Sequence, residues 1–262
     1  MSSSRISTTG KASPYATKTD AKTNAKTNAK TDTKSGTGMD RDVISGGEIQ
    51  RLAQLRDGQN SQILSEAELL ASRRSYIPDT GLDGDLLVFS YGSLIWNPCI
   101  EFQDRFAARL YGFHRRFCLR STIGRGSPEA PGLVLGLDYG GSVQGVCFNI
   151  AKDKVASEAD ILWQREMLNG SYLPKWIKLS TQAGPRKALT FIIDRSKPAY
   201  MPRISEQETA HMISKASGFV GSCSEYLFST QQALLAEGIH DPLMKKLVKL
   251  VSDQQSKEQG GS

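Results

Sequence analysis

Strand-like segments and capped helices occupy different parts of this sequence, and this separation limits the possible folds more than any other feature. The apolar runs that predict strands are 86–91, 117–121, 133–139, 143–150 and 188–193, with a short one at 176–179. Three helices are predicted after residue 204, and their starts are marked by Ser205 with Glu208, Ser222 with Glu225, and Asp241 with Pro242. Strands and helices do not alternate regularly and the Gly-x-Gly-x-x-Gly signature is missing, which argues against a Rossmann sheet. The sequence therefore predicts an α+β domain, with a mainly antiparallel sheet packed against helices.

A glycine pair separates two of these predicted strands. Gly140 and Gly141 precede Ser142, and a short glycine-rich connection between two apolar runs is typical of an antiparallel hairpin. We therefore expect 133–139 and 143–150 to be neighbouring strands joined by a tight turn.

The first 38 residues differ from the rest in composition and charge. Ser, Thr, Lys, Asn and Ala dominate them, and seven basic side chains against two acidic ones give a net charge of +5. Such a segment cannot bury enough apolar surface to offset its conformational entropy, so we predict that 1–38 is a disordered tail. The remaining residues carry 26 basic and 25 acidic groups, a net charge of +1. A domain balanced in this way is not expected to bind nucleic acid through a phosphate-attracting field.

The chain after the tail divides into three predicted parts. Residues 39–81 form an N-terminal extension, in which apolar residues at roughly helical spacing predict short helices. A Pro-Asp-Thr-Gly turn at the end of this extension precedes a sharp change in composition. We predict that 82–252 is the core domain and that 253–262 is a flexible C-terminus.

The sequence offers no segment suited to a membrane. The longest apolar stretch, 86–96, is interrupted by Ser90, Gly92 and Ser93 and is far shorter than the roughly 20 residues that a spanning helix requires. The four cysteines show no paired C-x-x-C spacing, which favours a reducing interior over a zinc or disulfide site. A mitochondrial presequence would share the basic charge of the tail, but it would favour arginine, and the tail holds one. We therefore expect a cytoplasmic protein without a membrane contact.

One glutamate is predicted to face the protein interior. Residues 154–168 are predicted to form a helix with an apolar face that includes Val155, and Glu166 lies within about 20° of Val155 around the helix axis. On this geometry Gln164 and Arg165 point elsewhere. Burial raises the pKa of a carboxyl group toward the range that is useful for proton transfer at neutral pH. Glu166 is therefore a candidate general acid or base.

Simpler interpretations of Glu166 remain open. An inward-facing carboxylate also forms a structural ion pair where an arginine is near, and Arg120 and Arg125 are suitable partners. Alternatively, the helix ends at this point and leaves the carboxylate in solvent.

The turn after the first predicted strand is a second candidate site. Gly92, between Tyr91 and Ser93, lets backbone amides approach a ligand closely, and such amides bind a carboxylate or a developing oxyanion. Glycine at a strand end also serves ordinary turns, and Ser93 has no histidine nearby in sequence that would make it a nucleophile. From the residues alone, this segment is either a binding loop or a structural turn.

Four segments in a fixed order resemble one enzyme family. They are FSYGSLIWNP from residue 89, GFHRRFCLRSTIGRGSPEAPG from residue 112, LWQREMLNGSYLP from residue 162 and SEYLF from residue 224. Together they resemble the ChaC family of glutathione-specific γ-glutamylcyclotransferases, over about residues 86–251. The family usually has glycine where this sequence has Ser90. Either the small side chain is tolerated there, or it narrows or shifts the loop.

The resemblance implies a γ-glutamylcyclotransferase-like domain, with a twisted sheet or barrel flanked by helices. It also implies cleavage of glutathione without water, in which the glutamyl α-amine attacks its own γ-carbonyl and gives 5-oxoproline and cysteinylglycine. By analogy, Glu166 is the general acid/base, and no metal or other cofactor is needed. The substrate-binding residues that the resemblance implies are Ser90, Tyr91, Gly92, Ser93, Leu94, Ile95, Tyr172 and Tyr226.

Other functions remain open at this point. A cyclotransferase acting on other γ-glutamyl peptides or amines is the nearest alternative. A non-catalytic protein-interaction module on the same fold would not need Glu166, and a nucleic-acid binder would depend on the tail 1–38. His114, His211 and His240 lack the spacing of metal ligands, so we expect no metal site. The sequence makes no prediction of the oligomeric state.

Overall fold

The structure is a computed structural model, and it describes residues 39–48, 50, 51, 53 and 63–259. In this part of the chain, five strands close into a barrel. They are β1 Leu86–Ser90, β2 Asp104–Ser121, β3 Gly132–Ile150, β4 Tyr172–Thr181 and β5 Gly184–Ile193. The strand order around the barrel is β1-β3-β2-β4-β5, and neighbours are antiparallel except β1 and β5, which pair in parallel. The predicted tail 1–38 lies outside the described residues. So do residues 260–262 of the predicted flexible C-terminus, whereas its residues 253–259 are helical.

Helices flank this barrel. Those with described bounds are α1 Arg41–Ser45, α2 Glu66–Tyr76, α3 Val155–Glu166, α4 Glu206–Lys215, α5 Cys223–Ala236 and α6 Pro242–Gln259. Two strands of two residues each, β6 Ser217–Gly218 and β7 Gly221–Ser222, pair with each other before α5. Among the helices in the described ranges, none has the length and apolar composition that a membrane crossing requires.

Serine caps fix the starts of α4 and α5. Ser205 accepts a hydrogen bond from the amide of Glu208, and the Glu208 carboxylate accepts one from the amide of Ser205, which completes a capping box. Ser222 accepts a hydrogen bond from the amide of Glu225, but the Glu225 carboxylate binds Arg125 instead of returning to the cap. The second capping box is therefore half formed, because a guanidinium competes for the carboxylate.

The predicted hairpin at Gly140 and Gly141 is wrong. β3 is one continuous strand, and it pairs with β2 on both sides of these glycines. Their φ angles are 101° and 72°, and Gly112 on the facing strand has a φ of 84° beside an irregularity in the ladder. Positive φ angles at facing glycines bend both strands together without reversing either. Residues that usually mark a turn therefore mark a bulge in this sheet.

The strand β2 is much longer than the apolar run that predicted it. It begins at Asp104 rather than at 117, and exposed and buried residues interleave along its first half. Charged side chains such as Arg105 and Arg109 occupy outward positions there, so the segment is not apolar in sequence. A half-exposed strand carries its signal in alternation rather than in mean hydropathy, so an apolar run marks only the buried end of β2.

The barrel interior and the flanking helices share one apolar core. Phe89, Trp163 and Phe191 are among its largest fully buried side chains. Cys118 and Cys147 are fully buried strand residues, as expected for small core side chains. The four cysteines of the chain form no disulfide.

The N-terminal extension is attached to α3 by ion pairs. Arg41 of α1 binds Glu158 of α3 through two hydrogen bonds of 2.6 and 2.8 Å, and Arg73 of α2 binds Asp160 at 2.7 Å. Ile44 of α1 is buried in the core. The helices α1 and α2 therefore pack against the helix whose last residue is Glu166.

Candidate active site

A cavity of about 730 Å³ lies beside the C-terminal end of α3. Its wall includes the turn after β1, the end of β2 with the loop that follows it, and the segment after β5. A second space of about 30 Å³ shares the side chains of Ser93, Glu166, Tyr172 and Tyr226 with it. We call the larger space the outer cavity and the smaller one the inner chamber. A space of the smaller size holds about one water molecule or a comparable polar group.

The structure brings together eight of the nine residues that the sequence analysis proposed for the site. The walls of the inner chamber include Ser90, Tyr91, Gly92, Ser93, Leu94, Glu166, Tyr172 and Tyr226. Ile95 lines neither space and is buried in the core. Within the described ranges, no group of three or more His, Cys, Asp or Glu side chains is arranged to hold a metal ion.

Glu166 is the last residue of α3, and its side chain is only 14% exposed. Burial raises the pKa of Glu166 above the ordinary range of a carboxyl group, although the guanidinium of Arg165 opposes the shift. A carboxyl group with a raised pKa both accepts and returns a proton more readily near neutral pH. The structure therefore places a carboxyl group with a raised pKa where the two spaces meet.

Arg165 does not point away from the site, and the expectation that it does is wrong. Its side chain is 3% exposed, and its Nε donates to Oε1 of Glu166 at 3.1 Å. Its Nη1 donates to the carbonyl of Asn97 at 2.5 Å, and its Nη2 donates to the hydroxyl of Ser93 at 3.2 Å. The segment after the β1 turn covers this side of α3, so the helix is enclosed on more than one face. Neighbouring residues on a helix do not ordinarily face each other, so the sequence gives no local signal for this pair.

Arg120 and Arg125 do not bind Glu166. Arg125 is buried and donates to the carboxylate of Glu225 at 3.0 Å. Arg120 is exposed and lines the outer cavity. The interpretation of Glu166 as an ion-paired carboxylate is therefore confirmed, but its partner is Arg165.

The turn after β1 has two backbone amides without a partner in the described part of the chain, at residues that line the inner chamber. A 3-10 helix spans Ser93–Ile95, and the amides of Ile95 and Trp96 donate to the carbonyls of Gly92 and Ser93. The amides of Ser93 and Leu94 come before these bonds, and neither donates to another residue that the structure describes. Two backbone donors thus remain available beside the chamber.

Two phenol groups form hydrogen bonds with the backbone of Leu135 in the chamber wall. Tyr172 Oη donates to the carbonyl of Leu135 at 2.6 Å, and Tyr226 Oη accepts from its amide at 3.4 Å. Burial raises the pKa of both phenols, so both keep their protons at neutral pH. The proton of Tyr226 has no acceptor among the described residues. A Cβ on Gly92 would lie 3.1 Å from Tyr226 Oη, so glycine permits this close approach.

Ser90 places an unpaired hydroxyl group in the wall of the inner chamber. The residue is 2% exposed, and its Oγ has no hydrogen-bond partner in the described part of the chain. A buried hydroxyl without a partner costs free energy, so such a group is notable where a ligand space adjoins it. Ser90, which stands where the family usually has glycine, thus adds a polar group to the wall of the chamber.

The N-terminal extension also reaches the outer cavity. Met39 lines this cavity, and its carbonyl accepts hydrogen bonds from Asn97 Nδ2 and Cys99 Sγ, each at 2.9 Å. Arg41 Nη1 donates to the carbonyl of Cys99 at 3.0 Å. Because Arg165 binds Asn97 and Cys99 as well, this short segment connects the extension to the site.

A family model described as ChaC-like protein matches residues 86–254 of the chain. The chain belongs to the ChaC-like family. The match begins at β1 and ends within α6, so it contains every residue that lines the inner chamber. Met39 and Arg41 lie outside the matched range. The N-terminal extension therefore adds Met39 to the wall of the outer cavity, beyond the ChaC-like domain.

Alignments with two curated relatives cover most of the length of each relative. The glutathione-specific γ-glutamylcyclotransferase of Escherichia coli is 39% identical over 183 residues, which is 70% of this chain and 78% of that protein. The human glutathione-specific γ-glutamylcyclotransferase 1 is 33% identical over 153 residues, which is 55% of this chain and 69% of that protein.

Solved structures share the ChaC-like fold. A crystal structure of a γ-glutamylcyclotransferase specific to glutathione from yeast superimposes with a TM-score of 0.61 and 22% identity, and covers 65% of this chain and 97% of that one. Another crystal structure of the yeast protein gives a TM-score of 0.57 and 23% identity, with coverage of 65% and 99%. The predicted barrel of mainly antiparallel strands with flanking helices is confirmed.

Proposed function

We propose that this ChaC-like protein cleaves glutathione by cyclising its γ-glutamyl group, which gives 5-oxoproline and cysteinylglycine. The observation that carries the proposal is the position of Glu166, a largely buried carboxylate at an inner chamber walled by the β1 turn and two phenols. The relatives from Escherichia coli and human are named for this activity, which supports the same substrate class.

The reaction moves protons from one nitrogen atom to another within the substrate. The α-nitrogen of the glutamyl group begins as an ammonium and ends as a ring amide, so it loses two protons. The cysteine nitrogen begins as an amide and ends as an ammonium, so it gains two. Glu166 accepts the first proton, which frees the amine to form a C–N bond with the γ-carbonyl carbon. As the older C–N bond breaks, Glu166 returns a proton to the cysteine nitrogen, and the second proton follows the same route.

The residues around Glu166 hold the reacting conformer. Attacking amine and carbonyl belong to one molecule, so the protein accelerates the reaction by fixing the folded geometry in which they meet. The free amides of Ser93 and Leu94 and the hydroxyl proton of Tyr226 are donors for negative charge on the α-carboxylate or the tetrahedral oxygen. The oxygen of Tyr172, whose proton is bound to Leu135, is an acceptor for the glutamyl ammonium.

The test is the release of 5-oxoproline from glutathione by the full chain. We expect Glu166→Gln to keep the fold and to lose turnover by at least about a hundredfold, because the amide cannot relay a proton. The matched control is Glu101→Gln, since Glu101 is exposed and lines neither space. Circular dichroism and the unfolding midpoint establish that both variants are folded. Turnover of Glu166→Gln at the wild-type level would refute the proposal.

We also propose that the protein acts in the reducing cytoplasm. Three of its four cysteines are buried thiols without a disulfide partner, and the fourth, Cys99, is unpaired beside the outer cavity. Burial raises the pKa of the Cys118 and Cys147 thiols to about 12, which leaves them unreactive. Free thiols in this number are typical of a reducing compartment.

A further inference from the structure

The outer cavity carries more positive than negative charge. Among its described lining residues the one carboxylate is Glu166, and the cations are Arg120, Arg125, Arg165 and Lys197. Arg165 binds Glu166, and Arg125 binds Glu225. Arg120 and Lys197 remain, and neither has a carboxylate partner among the residues that the structure describes. Cations that face a cavity without a counter-charge attract an anionic ligand group.

Arg120 and Lys197 come from two segments that the backbone holds against each other. The amide of Arg120, near the end of β2, donates to the carbonyl of Ala199 at 2.8 Å, and Leu119 forms an isolated bridge with Tyr200. The segment after β5, which includes Lys197, therefore lies along the end of β2. Arg120 is exposed and Lys197 is half-buried, so both are accessible to a ligand that enters from solvent. We call this pair the cationic rim.

The register of the barrel places the backbone of Arg120 opposite a residue close to the chamber wall. Leu135 lines the chamber, and Leu133, which pairs with Arg120, lies two residues along the same strand. Two residues of a strand span about 7 Å. The peptide that leaves glutathione also has two residues, and an extended dipeptide covers about 7 Å from the scissile nitrogen to its terminal carboxylate.

We propose that the cationic rim binds the C-terminal carboxylate of the leaving dipeptide and so selects γ-glutamyl peptides that end two residues beyond the scissile bond. The inference rests on the proposed function, because it places the glutamyl end at the inner chamber. It names the substrate class: acidic γ-glutamyl tripeptides bind well, whereas γ-glutamyl amines and C-terminal amides lack the group that the rim recognises.

The rim is expected to control affinity rather than chemistry. A guanidinium and an ammonium bind a carboxylate through charge-assisted hydrogen bonds, but partial exposure to water keeps their contribution modest. Neither side chain lines the inner chamber, where the bonds are made and broken. Loss of both cations should therefore raise KM and leave kcat nearly unchanged.

The experiment compares glutathione with its C-terminal amide, which has the same length but no terminal charge. The wild-type chain and the double variant Arg120→Gln with Lys197→Gln are assayed for 5-oxoproline release. We expect the double variant to raise KM for glutathione about tenfold and kcat to stay within about twofold, so that KM no longer differs between the two substrates. The matched control is Arg203→Gln with Lys175→Gln, since both residues are exposed and lie outside the outer cavity. The control should retain the wild-type preference for the acid.

Calorimetry separates this inference from the proposed function. Dissociation constants for glutathione and its amide are measured on Glu166→Gln protein with and without the two rim substitutions, so the result does not depend on turnover. If wild-type protein releases no 5-oxoproline, the proposed function fails. Calorimetry still shows whether the cationic rim binds the terminal carboxylate. An unchanged ratio of the two dissociation constants after removal of both cations overturns the inference.

Discussion

The inner chamber and the cationic rim both present charged groups to the same ligand space, but their charges are balanced in different ways. Beside the chamber, Glu166 and Arg165 are nearly buried and bind each other, and Arg165 is further bonded to Asn97 and Ser93. At the rim, Arg120 and Lys197 have no carboxylate partner in the described part of the chain. Buried charges require partners within the protein because desolvation is costly, whereas exposed charges are stabilised by water. The difference indicates that the chamber is arranged before the ligand arrives, and that the rim is completed by the ligand.

The strongest way to break the arrangement at the chamber is to replace Arg165. Burial raises the pKa of Glu166 and Arg165 opposes that rise, so Arg165→Met should raise the pKa further. Glu166 must be ionised to accept a proton, and the acidic limb of the pH profile of kcat/KM should therefore move to higher pH. We also expect turnover at neutral pH to fall by between about tenfold and a hundredfold, because the segment after β1 loses its hydrogen bonds from Arg165 to Ser93 and Asn97.

The control for this prediction is Arg165→Lys, which keeps the charge but not the fork of donors that binds Ser93 and Asn97. Its acidic limb should stay near that of the wild type even if turnover falls. An acidic limb that does not move in Arg165→Met would show that Arg165 has a purely structural role.

A smaller effect is expected at the unpaired hydroxyl of Ser90. If this group binds the substrate, Ser90→Ala should raise KM for glutathione by about threefold to tenfold. The same variant should unfold at a higher temperature, because a buried hydroxyl without a partner is removed. The matched variant is Thr190→Val, whose buried hydroxyl donates to the carbonyl of Phe89 at 2.9 Å, and which should be less stable than the wild type. Unchanged KM in Ser90→Ala would exclude the hydroxyl from substrate binding.

The smallest effect on activity is expected from Arg41, which lies outside the ChaC-like match. Burial acts to raise the pKa of Glu158, but hydrogen bonds from Arg41 and the amide of Glu101 outweigh it and hold the pKa below its ordinary range. A lowered pKa in the folded state stabilises the fold above the pKa of the unfolded chain, and this stabilisation is lost as the pH falls through the folded value. Arg41→Gln should therefore lower the free energy of unfolding by about 1 kcal/mol at neutral pH, less than a fully buried pair would, since Arg41 is 37% exposed.

Urea unfolding at neutral and at acidic pH measures this effect, and the difference between Arg41→Gln and the wild type should shrink in acid. Turnover should stay within about twofold of the wild type, because Arg165 keeps its own bonds to Asn97 and Glu166. A large loss of turnover would mean that the extension positions the chamber as well as stabilising it.

Local chemistry explains which parts of the fold were predictable from sequence. The caps at Ser205 and Ser222 depend on atoms within three residues, and both helices begin where these serines indicate. The glycines at 140–141 predict a turn, but the structure has a bulge there. The same backbone freedom suits both, and pairing with the facing strand determines which one forms. The position of a bulge is thus a property of two strands and not of one.

The candidate site also has features that sequence predicts and features that it does not. The angular position of Glu166 on its helix was enough to predict an interior-facing carboxylate, but not its partner, because the segment at Asn97 that encloses Arg165 lies far away in sequence. Tyr172 and Tyr226 were proposed from family resemblance alone. No local pattern predicts that phenols so distant in sequence both bind the backbone of Leu135.

The small volume of the inner chamber also bears on what the reaction can produce. A γ-glutamyl group can in principle close on itself or be attacked by a water molecule, and the second path would release free glutamate. A space of about 30 Å³ holds about one polar group, so once a group of the ligand fills it, no water molecule remains there as a second nucleophile. Exclusion of water from the chamber, rather than any feature of the leaving dipeptide, would then favour the cyclic product 5-oxoproline over free glutamate.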